Sequence, residues 1–544
     1  MKLKVLIFLL ISLINICSYA QYFESKTNYS IEWGEMVRFK GSVQGLFDVQ
    51  SSSFSAIVDK PYWMKFFSGA NKNIKIKDIN NLKPTLHGKI SFRGDGKRVR
   101  IEGLLDVGRE LVAISSRKEG LFRKQEFLYT HEFNHFNINQ EIDGKQFASF
   151  NRKIIYSADK QIGTNSSSNR KYGGLYITTP TTSEDYPAFE YLIYNEDKGL
   201  IKEEIIVFPY NIYEMEIKKQ FISNNGDYYL IGEQYYKINH DKQWSERNRE
   251  FAFMKIFKIE ENQLVEIKID EENTVITDIE IIQKENGNLL CTGFYAEEIN
   301  GNIRGLIYIE VDPDKNEVIK RTKPSFSVDF FSSSTPSTID KLFNKTHYSD
   351  KNKNNEFADF KFRSVKKMKD NSIVVIAEYN RIDLRTRGTA ESGDVTQRYD
   401  HYYIFNDILV YKLDENGELV WVNRIPKKQQ SINDGGIELS FAYFHTEQNV
   451  FFFFNDNKKN YDESDNFIDQ EALKPASMNI INNTIAGVKV NLTNGESERS
   501  ALMGKKELST TFIPMLSQTD MNGGSLVLYG NEGRRHRFGR IRFN

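Results

Sequence analysis

The sequence predicts an all-β fold, a β-propeller built from repeated four-stranded blades. The first supporting observation is a recurring unit in which a turn and a short apolar strand precede a second strand that ends in a polar hairpin. The second is composition: aromatic residues reach 13%, with 39 Phe and 28 Tyr but only 11 Pro, which suits half-buried pleated sheets. The third is the uneven spacing of the units, which propeller loops accommodate better than a solenoid does.

Copies of the recurring unit extend over most of the chain. The clearest are residues 225–232 with 252–259, 286–293 with 305–311, and 371–377 with 407–421. Weaker copies are 448–454 with 484–491, 524–530 with 538–543, 152–157 with 189–194, 110–115 with 126–133, and 53–58 with 62–67. We therefore expect a pair of strands at each of these places.

The later turns are about 60 to 85 residues apart, more than the roughly 40 to 50 residues of a common propeller blade. Two polar segments without a strand pattern, residues 380–400 and 455–477, are predicted to be the long loops that hold the surplus. The count favours seven blades, with six or eight as alternatives. Because the last copy reaches the carboxyl terminus, we expect an amino-terminal strand such as residues 36–40 to complete the final blade and cover its free edge.

Residues 1–20 have the pattern of a signal peptide. Lys2 and Lys4 precede a short apolar run over residues 5–16, and Ser-Tyr-Ala at residues 18–20 provides the small residues of a cleavage site. The apolar run is shorter than the roughly 20 residues that a transmembrane helix needs. The pattern predicts an exported protein, located in the periplasm, at the cell surface or outside the cell.

The mature chain is expected to span residues 21–544 as a single propeller domain. Lipoprotein anchoring at Cys17 is the alternative, and the bulky Ile16 before that cysteine disfavours it. Without Cys17 only Cys291 remains, so no intrachain disulfide can form. Cys291 lies in an apolar strand and is expected to be an inert core thiol.

One segment matches the zinc-protease pattern HExxH, with His131, Glu132 and His135. That chemistry requires a helix, because a helix puts both histidines on one face close together. Here aromatic and polar residues alternate, which indicates a strand, and i and i+4 residues of a strand are roughly 13 Å apart. Asp143-Gly144 downstream matches the hairpin of other copies. No metal ligand is assigned.

Other chance patterns receive the same interpretation. Residues 414–418 and 312–316 resemble fragments of a calcium loop but lack its full set of ligands, so they are predicted to be hairpin turns. Ser431, Asp434 and His445 have the residue types of a hydrolase triad, yet no glycine-flanked elbow surrounds the serine. Catalytic residues remain unknown, and no metal or cofactor is predicted.

The charge balance excludes a strong preference for nucleic acid. The chain has 73 basic and 74 acidic residues, a formal net charge of −1. The basic residues near the carboxyl terminus are predicted to lie on the solvated face of an edge strand, with an anion or lipid headgroup site as the alternative. They are Arg534, Arg535, His536, Arg537, Arg540 and Arg542.

The hairpin and strand at residues 413–421, which end in Trp421, resemble the blade repeat of secreted bacterial β-propellers. Together with residues 425–429, they make the chain similar to uncharacterised exported β-propeller-repeat proteins of Bacteroidetes-type bacteria. The resemblance implies fold and export and carries no catalytic residue. The tryptophan is not repeated from copy to copy, so a cofactor-binding quinoprotein propeller is not supported.

Two classes of function remain, and the fold cannot choose between them. The first is a non-catalytic binding or scaffold protein of the cell envelope, a monomer that engages an unknown protein, peptide or glycan through its loops. The second is a hydrolase or lyase whose acidic or histidine side chains converge in the central channel. The sequence favours the first, because only 8 His are present and no catalytic cluster is visible.

Overall fold

Strands make up almost all of this computed structural model. The structure describes residues 21–24, 29–40, 42–47, 53–59, 73–108, 110–119, 125–133, 139–151, 161–178, 186, 188–211, 213–240, 249–261, 263–269, 271, 274–297, 303–326, 360–387, 398–468, 473–476, 482–520 and 523–543. The predicted signal peptide with Cys17, the second histidine His135 and the predicted strands at 62–67 and 152–157 lie outside these residues.

The first twelve strands form one large sheet and part of another. They are β1 (Gln21–Glu24), β2 (Tyr29–Trp33), β3 (Val37–Arg38), β4 (Ser42–Phe47), β5 (Ser53–Asp59), β6 (Asn73–Asn80), β7 (Lys83–Gly94), β8 (Lys97–Arg98), β9 (Arg100–Val107), β10 (Glu110–Glu119), β11 (Gln125–Phe133) and β12 (Glu141–Asn151). One sheet has the order β4-β5-β6-β7-β12-β11-β10-β9, with β8 beside β7. Within it the end of β7 pairs in parallel with β12, with Gly94 opposite Gly144.

Five sheets of four strands follow, each in sequential order. The first two contain β13 (Gln161–Ser166), β14 (Tyr172–Thr178), β15 (Ala188–Asn195) and β16 (Gly199–Val207), then β17 (Met215–Ile222), β18 (Tyr228–Lys237), β19 (Arg249–Glu260) and β20 (Gln263–Ile267). The third and fourth contain β21 (Val275–Gln283), β22 (Leu289–Ala296), β23 (Gly305–Asp312) and β24 (Glu317–Thr322), then β25 (Phe360–Lys367), β26 (Ile373–Arg387), β27 (Arg398–Leu413) and β28 (Leu419–Ile432). The fifth contains β29 (Ala442–His445), β30 (Asn449–Asn457), β31 (Asn483–Asn491) and β32 (Ser497–Gly504).

The last sheet combines both ends of the chain. A one-turn helix, α1 (Lys505–Leu508), precedes β33 (Thr511–Phe512), β34 (Gln518–Thr519), β35 (Ser525–Glu532) and β36 (Arg535–Phe543). The strand order is β1-β2-β36-β35-β33, with β3 beside β36 and β34 beside β35. None of the described helices is long and apolar enough to cross a membrane.

The predicted fold class is confirmed: the chain is an all-β protein of repeated four-stranded blades of the β-propeller type. Five predicted strand pairs are adjacent and antiparallel, namely β10 with β11, β18 with β19, β22 with β23, β30 with β31, and β35 with β36. The partners of β15 are β14 and β16, which the sequence did not indicate. The number of blades stays a prediction.

The same four-residue hairpin recurs between the first and second strands of successive sheets. In one copy the N–H of Gly226 donates to the Ser223 carbonyl at 3.1 Å, and the Ser223 N–H donates to Asp227 at 2.9 Å. The residue two positions before the second strand has φ of +93° at Gly226, +91° at Gly287 and +62° at Asn371. Glycine and asparagine tolerate this left-handed conformation, which explains the recurring Asn-Gly pattern.

Burial changes across each sheet. All nine residues of β30 are buried, including four consecutive phenylalanines, because the middle strands are covered on both faces. The outer strand β16 alternates exposed and half-buried side chains. Aromatic rings fill the space between sheets, as where the Tyr191 ring on β15 lies 5.6 Å from the Tyr228 ring on β18. This packing accounts for the aromatic-rich composition.

The chain divides into two compact units. Unit 1 comprises Met1–Lys89, Tyr379–Ile408 and Asn423–Asn544, and unit 2 comprises Ile90–Glu378 and Leu409–Val422. The prediction of a single domain over residues 21–544 stays a prediction.

An amino-terminal strand completes the final sheet of unit 1, as predicted. The main closing strand is β2, in which Tyr29 lies opposite Phe543 and Trp33 opposite Gly539. The predicted segment 36–40 contributes only the short strand β3 beside β36. The Tyr29 ring also lies 5.5 Å from the ring of Phe453, so closure buries an aromatic cluster.

The prediction that the basic residues near the carboxyl terminus lie on the solvated face of an edge strand is wrong. Strands β2 and β35 flank β36 on both sides, so it is not an edge strand, and His536, Arg537 and Arg540 are buried. The Arg537 guanidinium donates to the carbonyls of Gly34 at 2.8 Å and Leu508 at 3.0 Å. The prediction holds for Arg542, which is exposed.

The predicted loop at residues 380–400 is too long. Strand β26 continues through Arg387 and β27 begins at Arg398, so residues at both ends of the predicted loop form strands. Over residues 455–477 the strand ends at Asn457, and a 3₁₀ turn at Lys458–Asn460 and isolated bridges follow, as a loop prediction requires.

The hairpin glycines provide a matched test of turn geometry and packing. Gly287 (φ +91°) and Gly417 (φ +83°) share a backbone conformation, but a Cβ at Gly287 would meet no atom within 4 Å. At Gly417 it would lie 2.5 Å from Tyr308 Cγ and from Thr322 Oγ1. We expect Gly287→Ala to cost about 1–2 kcal/mol in backbone strain and Gly417→Ala about 1–3 kcal/mol more, measured by urea unfolding. Equal losses would contradict this packing.

Candidate functional site

The first strands of successive sheets in unit 2 carry polar side chains that bind the neighbouring sheets. In β-propellers these strands face the central channel, so their polar groups are the first place to look for a site. Thr164 on β13 donates to the Leu104 carbonyl on β9 at 3.3 Å, and the Ser166 hydroxyl donates to the Asp106 carbonyl. The Asn165 amide donates to the Gln220 carbonyl on β17 at 2.5 Å.

The strongest of these links is an ion cluster around Lys219 on β17. Its ammonium lies 3.0 Å from Asp278 Oδ1 and 3.0 Å from Glu280 Oε2, both on β21, and donates to the Ile279 carbonyl at 3.0 Å. Asp278 Oδ2 in turn accepts the N–H of Phe362 on β25 at 3.3 Å. Three neighbouring first strands are therefore joined by one cation and one carboxylate.

The electrostatics of this cluster favour the charged form of Lys219. Burial opposes the charge of Lys219, but the carboxylates of Asp278 and Glu280 outweigh it and raise the pKa of Lys219. A lysine that serves as a general base at neutral pH needs a lowered pKa. Lys219 is thus a cross-link between sheets rather than a proton-transfer group. Among the residues that the structure describes, no group of three or more His, Cys, Asp or Glu could hold a metal ion.

His131 of the HExxH segment lies on strand β11, as predicted. Its Nε2 is 2.7 Å from the Ser115 hydroxyl on β10, and the two side chains are 1% and 0% exposed. Burial lowers the pKa of His131 to about 4, with the Ile142 backbone and Asp143 opposing that shift. The Phe92 ring packs 4.8 Å from the imidazole. A neutral, enclosed imidazole of this kind is a core group.

Gly144 explains how the imidazole fits. The prediction that Asp143-Gly144 forms a hairpin is wrong, because both residues lie inside β12. A Cβ at Gly144 would lie 2.4 Å from His131 Cε1, so the absence of a side chain there makes room for the ring. The sequence showed the glycine but not its partner across the sheet.

The calcium-like segments are hairpin turns, as predicted. Asp414 Oδ1 accepts the backbone N–H groups of Asn416 at 2.8 Å and Glu418 at 2.9 Å. Asp312 Oδ1 accepts those of Asp314 at 3.0 Å and Lys315 at 3.3 Å. Both aspartates stabilise their own turns.

The triad-like residues do not form a charge-relay system. The Ser431 hydroxyl donates to Asp434 Oδ1 at 2.6 Å, and the same carboxylate accepts the Gly436 N–H at 2.8 Å. Ser431 is therefore engaged by Asp434, not activated by His445. Cys291 is buried, and burial raises the pKa of its thiol to about 12, as expected for an inert core cysteine.

Sequence reasoning missed a buried ion pair that holds the 455–477 loop. Arg499 on β32 pairs with Asp456, and its Nε donates to the Tyr461 hydroxyl at 2.9 Å. That hydroxyl donates to Asp456 Oδ2 at 2.6 Å, and the Phe467 ring lies 4.1 Å from the guanidinium. Arg499 stands in a polar stretch of sequence, so no pattern distinguished it from a surface arginine.

A second feature that the sequence did not reveal is a basic surface pocket. It lies where β3 meets the hairpin between β35 and β36, and its volume is ≈ 480 Å³. The lining residues are Arg38, Phe39, Lys40, Glu532, Arg534 and Arg535. Only the second half of this set was visible as a basic stretch, because strand pairing brings residues 38–40 to it from the other end of the chain.

Comparisons with known proteins identify no family for this chain. No family model matches it. Over 168 residues it is 27% identical to the CRISPR-associated endoribonuclease Cas13a of Leptotrichia buccalis, a match that covers 28% of this chain and 13% of that relative. The chain thus spans well under two thirds of the relative's length.

Several solved structures are similar at low sequence identity. The WD40 domain of SCAP from fission yeast matches with a TM-score of 0.39 and 8% identity, covering 97% of this chain and 98% of that one. Prolyl oligopeptidase B from Galerina marginata matches with a TM-score of 0.38 and 10% sequence identity, and the match covers 90% of this chain and 55% of that one. The β-propeller domain of the Trilobed protease from Pyrococcus furiosus matches with a TM-score of 0.30 and 9% sequence identity, and the match covers 76% of this chain and 90% of that one.

The cross-link role of Lys219 predicts a large loss of stability when it is removed. Lys219→Met would leave the buried Asp278 without its cation, which we expect to cost about 3 kcal/mol. Lys218→Met on the same strand is the matched control, since both of its partners keep another donor: Glu216 keeps Arg249 at 3.1 Å, and Glu233 keeps the Tyr235 hydroxyl. We expect a cost of about 1 kcal/mol or less. Urea unfolding at pH 7 measures both, and losses of the same size would refute the cross-link.

His131 predicts a specific pH dependence. Its folded pKa of about 4 lies below the ordinary value of 6.5, so the unfolded chain binds more protons between these values. The contribution of the neutral imidazole to the free energy of unfolding is therefore complete above pH 6.5 and is lost as the pH falls towards 4. About 2 kcal/mol of it is lost at pH 5. His131→Gln should lose less stability than wild type between pH 7 and pH 5. Identical pH profiles for wild type and His131→Gln would count against a neutral buried imidazole.

Proposed function

We propose that this chain is an exported β-propeller that acts as a non-catalytic binding or scaffold protein of the cell envelope. The observation that carries the proposal is that polar side chains on the first strands of the sheets form ion pairs and hydrogen bonds with neighbouring sheets. A hydrolase or lyase needs acid, base or nucleophilic groups that are free to meet a substrate. Lys219, Asp278 and Glu280 instead hold neighbouring sheets together.

The reactive residue types elsewhere support the same proposal. Cys291 is a buried thiol with a raised pKa, and the hydroxyl of Ser115 is enclosed together with His131. The Ser115–His131 hydrogen bond is nevertheless an arrangement that favours the alternative, a hydrolase. That alternative would require substrate to reach side chains without exposed surface.

An exposed apolar surface supports contact with a partner. The part of β26 from Tyr379 onwards belongs to unit 1 and presents Ile382 at 56% and Leu384 at 61% exposure. Adjacent exposed apolar side chains on one strand are characteristic of interaction surfaces. The partner class, whether protein, peptide or glycan, is part of the proposal, as is export through the signal-like residues 1–20 to the periplasm, the cell surface or the medium.

Two assays on the full chain and its variants test the binding proposal against the enzymatic alternative. Wild type, Ser115→Ala and Lys219→Met are screened against peptide, ester and polysaccharide substrates, and we expect no turnover that depends on either residue. Activity abolished by Ser115→Ala in a folded variant would overturn the proposal. In the producing bacterium, quantitative cross-linking compares wild type with the Ile382→Asp/Leu384→Asp variant.

The control for the cross-linking experiment is Ile201→Asp/Ile205→Asp, which changes two exposed apolar residues of β16 in unit 2. We expect a defined cross-linked product to decrease at least about tenfold in the β26 variant and to persist in the control. Mass spectrometry of the recovered chain also reports its amino terminus, which should be Gln21. Retention of residues 1–20, or recovery of the chain from the cytoplasm alone, would contradict export.

A further inference from the structure

The basic pocket has a framework made by both ends of the chain. Strand β3 pairs with β36 so that Arg38 lies opposite Arg535, and the Phe39 N–H donates to the Arg534 carbonyl at 3.2 Å. On the other side, Glu532 pairs with Arg535 across a two-residue turn whose first residue, Gly533, has φ of +62°. Both walls are therefore positioned by backbone hydrogen bonds rather than by flexible side chains.

Phe39 fixes the pocket to the core of unit 1. Its ring stacks on the buried His536 with centroids 3.6 Å apart and planes at 5°, and its carbonyl lies 3.2 Å from His536 Nε2. Since a carbonyl only accepts, Nε2 carries the proton and Nδ1 accepts from the Tyr529 hydroxyl at 2.7 Å. Burial lowers the pKa of His536 to about 4, which keeps the ring neutral at physiological pH. The ammonium of Lys77 lies 4.4 Å from the Phe39 ring centre.

The basic residues that line the pocket outnumber the acidic ones. Within the described part of the chain, none of the four pocket cations Arg38, Lys40, Arg534 and Arg535 forms an ion pair. Two other cations of unit 1 do: Lys83 pairs with Glu35, and Arg542 pairs with Glu32. Glu532 is the single acidic residue in the lining, and its Oε2 lies 3.4 Å from the Thr511 hydroxyl. Four cations and one carboxylate thus share one pocket.

We propose that this pocket binds a tetrahedral oxyanion, a phosphate or sulfate group, which bridges β3 and the β35–β36 hairpin. Like charges held together repel one another and are stabilised when an anion neutralises them. Three guanidinium groups and one ammonium supply forked and single donors that match the several oxygens of such an anion better than the two oxygens of a carboxylate. The proposal does not depend on the envelope partner proposed above.

Binding at this place has a measurable consequence for stability. A ligand held by Arg38 and Lys40 on one wall and by Arg534 and Arg535 on the other binds the folded chain only while β3 is paired with β36. Ligand binding therefore stabilises the closure of the final sheet, and the melting temperature rises with ligand concentration.

The test uses the full chain over residues 21–544 with inorganic phosphate and sulfate as probes, in chloride buffer of constant ionic strength. Isothermal titration and thermal unfolding are measured for wild type, Lys40→Ala, Arg534→Ala and Arg534→Lys. The exposed residues Lys40 and Arg534 leave the core unchanged, so each variant should melt like wild type in chloride alone. Lys198→Ala, at an exposed lysine of the turn before β16, is the charge-matched control.

We expect saturable binding that weakens at least about tenfold in Lys40→Ala and in Arg534→Ala, as loss of one charge-assisted hydrogen bond implies, with partial recovery in Arg534→Lys. Lys198→Ala should bind as wild type. Non-saturable binding, equal effects of chloride and sulfate, or wild-type affinity in both alanine variants would overturn the proposal.

A second series identifies the source of the anionic group. A sulfated disaccharide and a phosphorylated sugar are compared with the inorganic ions and with the same uncharged sugars. Tighter binding of an ester than of its inorganic ion indicates a group presented by a glycan, whereas binding of the inorganic ions alone indicates a free oxyanion. Binding of the uncharged sugars with equal affinity would overturn the assignment of the pocket to an anion.

Discussion

The pairing of the amino-terminal strand β2 with the carboxyl-terminal strand β36 is the constraint on which the last sheet depends. Without β2, the strand β36 would present a row of unpaired backbone groups and an aromatic cluster to water. Segments about 500 residues apart in sequence must meet to form this pair, and such non-local contacts form at a high entropic cost. The buried Arg537, which donates to carbonyls of Gly34 and Leu508, secures the segment that follows β2.

Local chemistry explains why so much of the fold could be predicted. The hairpins with Gly226 and Gly287 require positive φ, so the Asn-Gly pattern marks them without any knowledge of tertiary contacts. Apolar runs such as the phenylalanines of β30 identify middle strands, since only a strand covered on both faces buries every residue. The position of His131 in a strand followed from the alternation of aromatic and polar residues around it.

Long-range pairing explains what could not be predicted. Arg540 reads as a surface residue of an edge strand until β2 covers it, and Arg499 reads as a surface arginine until the 455–477 loop folds over it. The strand character of residues 380–387 was missed because their polar composition resembles a loop. Of the pocket cations, only Arg534 and Arg535 were visible as part of a basic stretch, and that stretch does not indicate that Arg38 lies opposite Arg535.

The order of strands at the closure also determines how the molecule would carry tension. In β1, Gln21 lies opposite Trp33, whereas Phe543 of β36 lies opposite Tyr29, so these two residues lie at opposite ends of the strands of this sheet. A pull between Gln21 and Phe543 therefore acts along the strands, and the hydrogen bonds of the β1–β2 and β2–β36 ladders share the load in shear instead of opening one after another. Such a load would strain the closure as a whole and would leave it intact until several bonds break together.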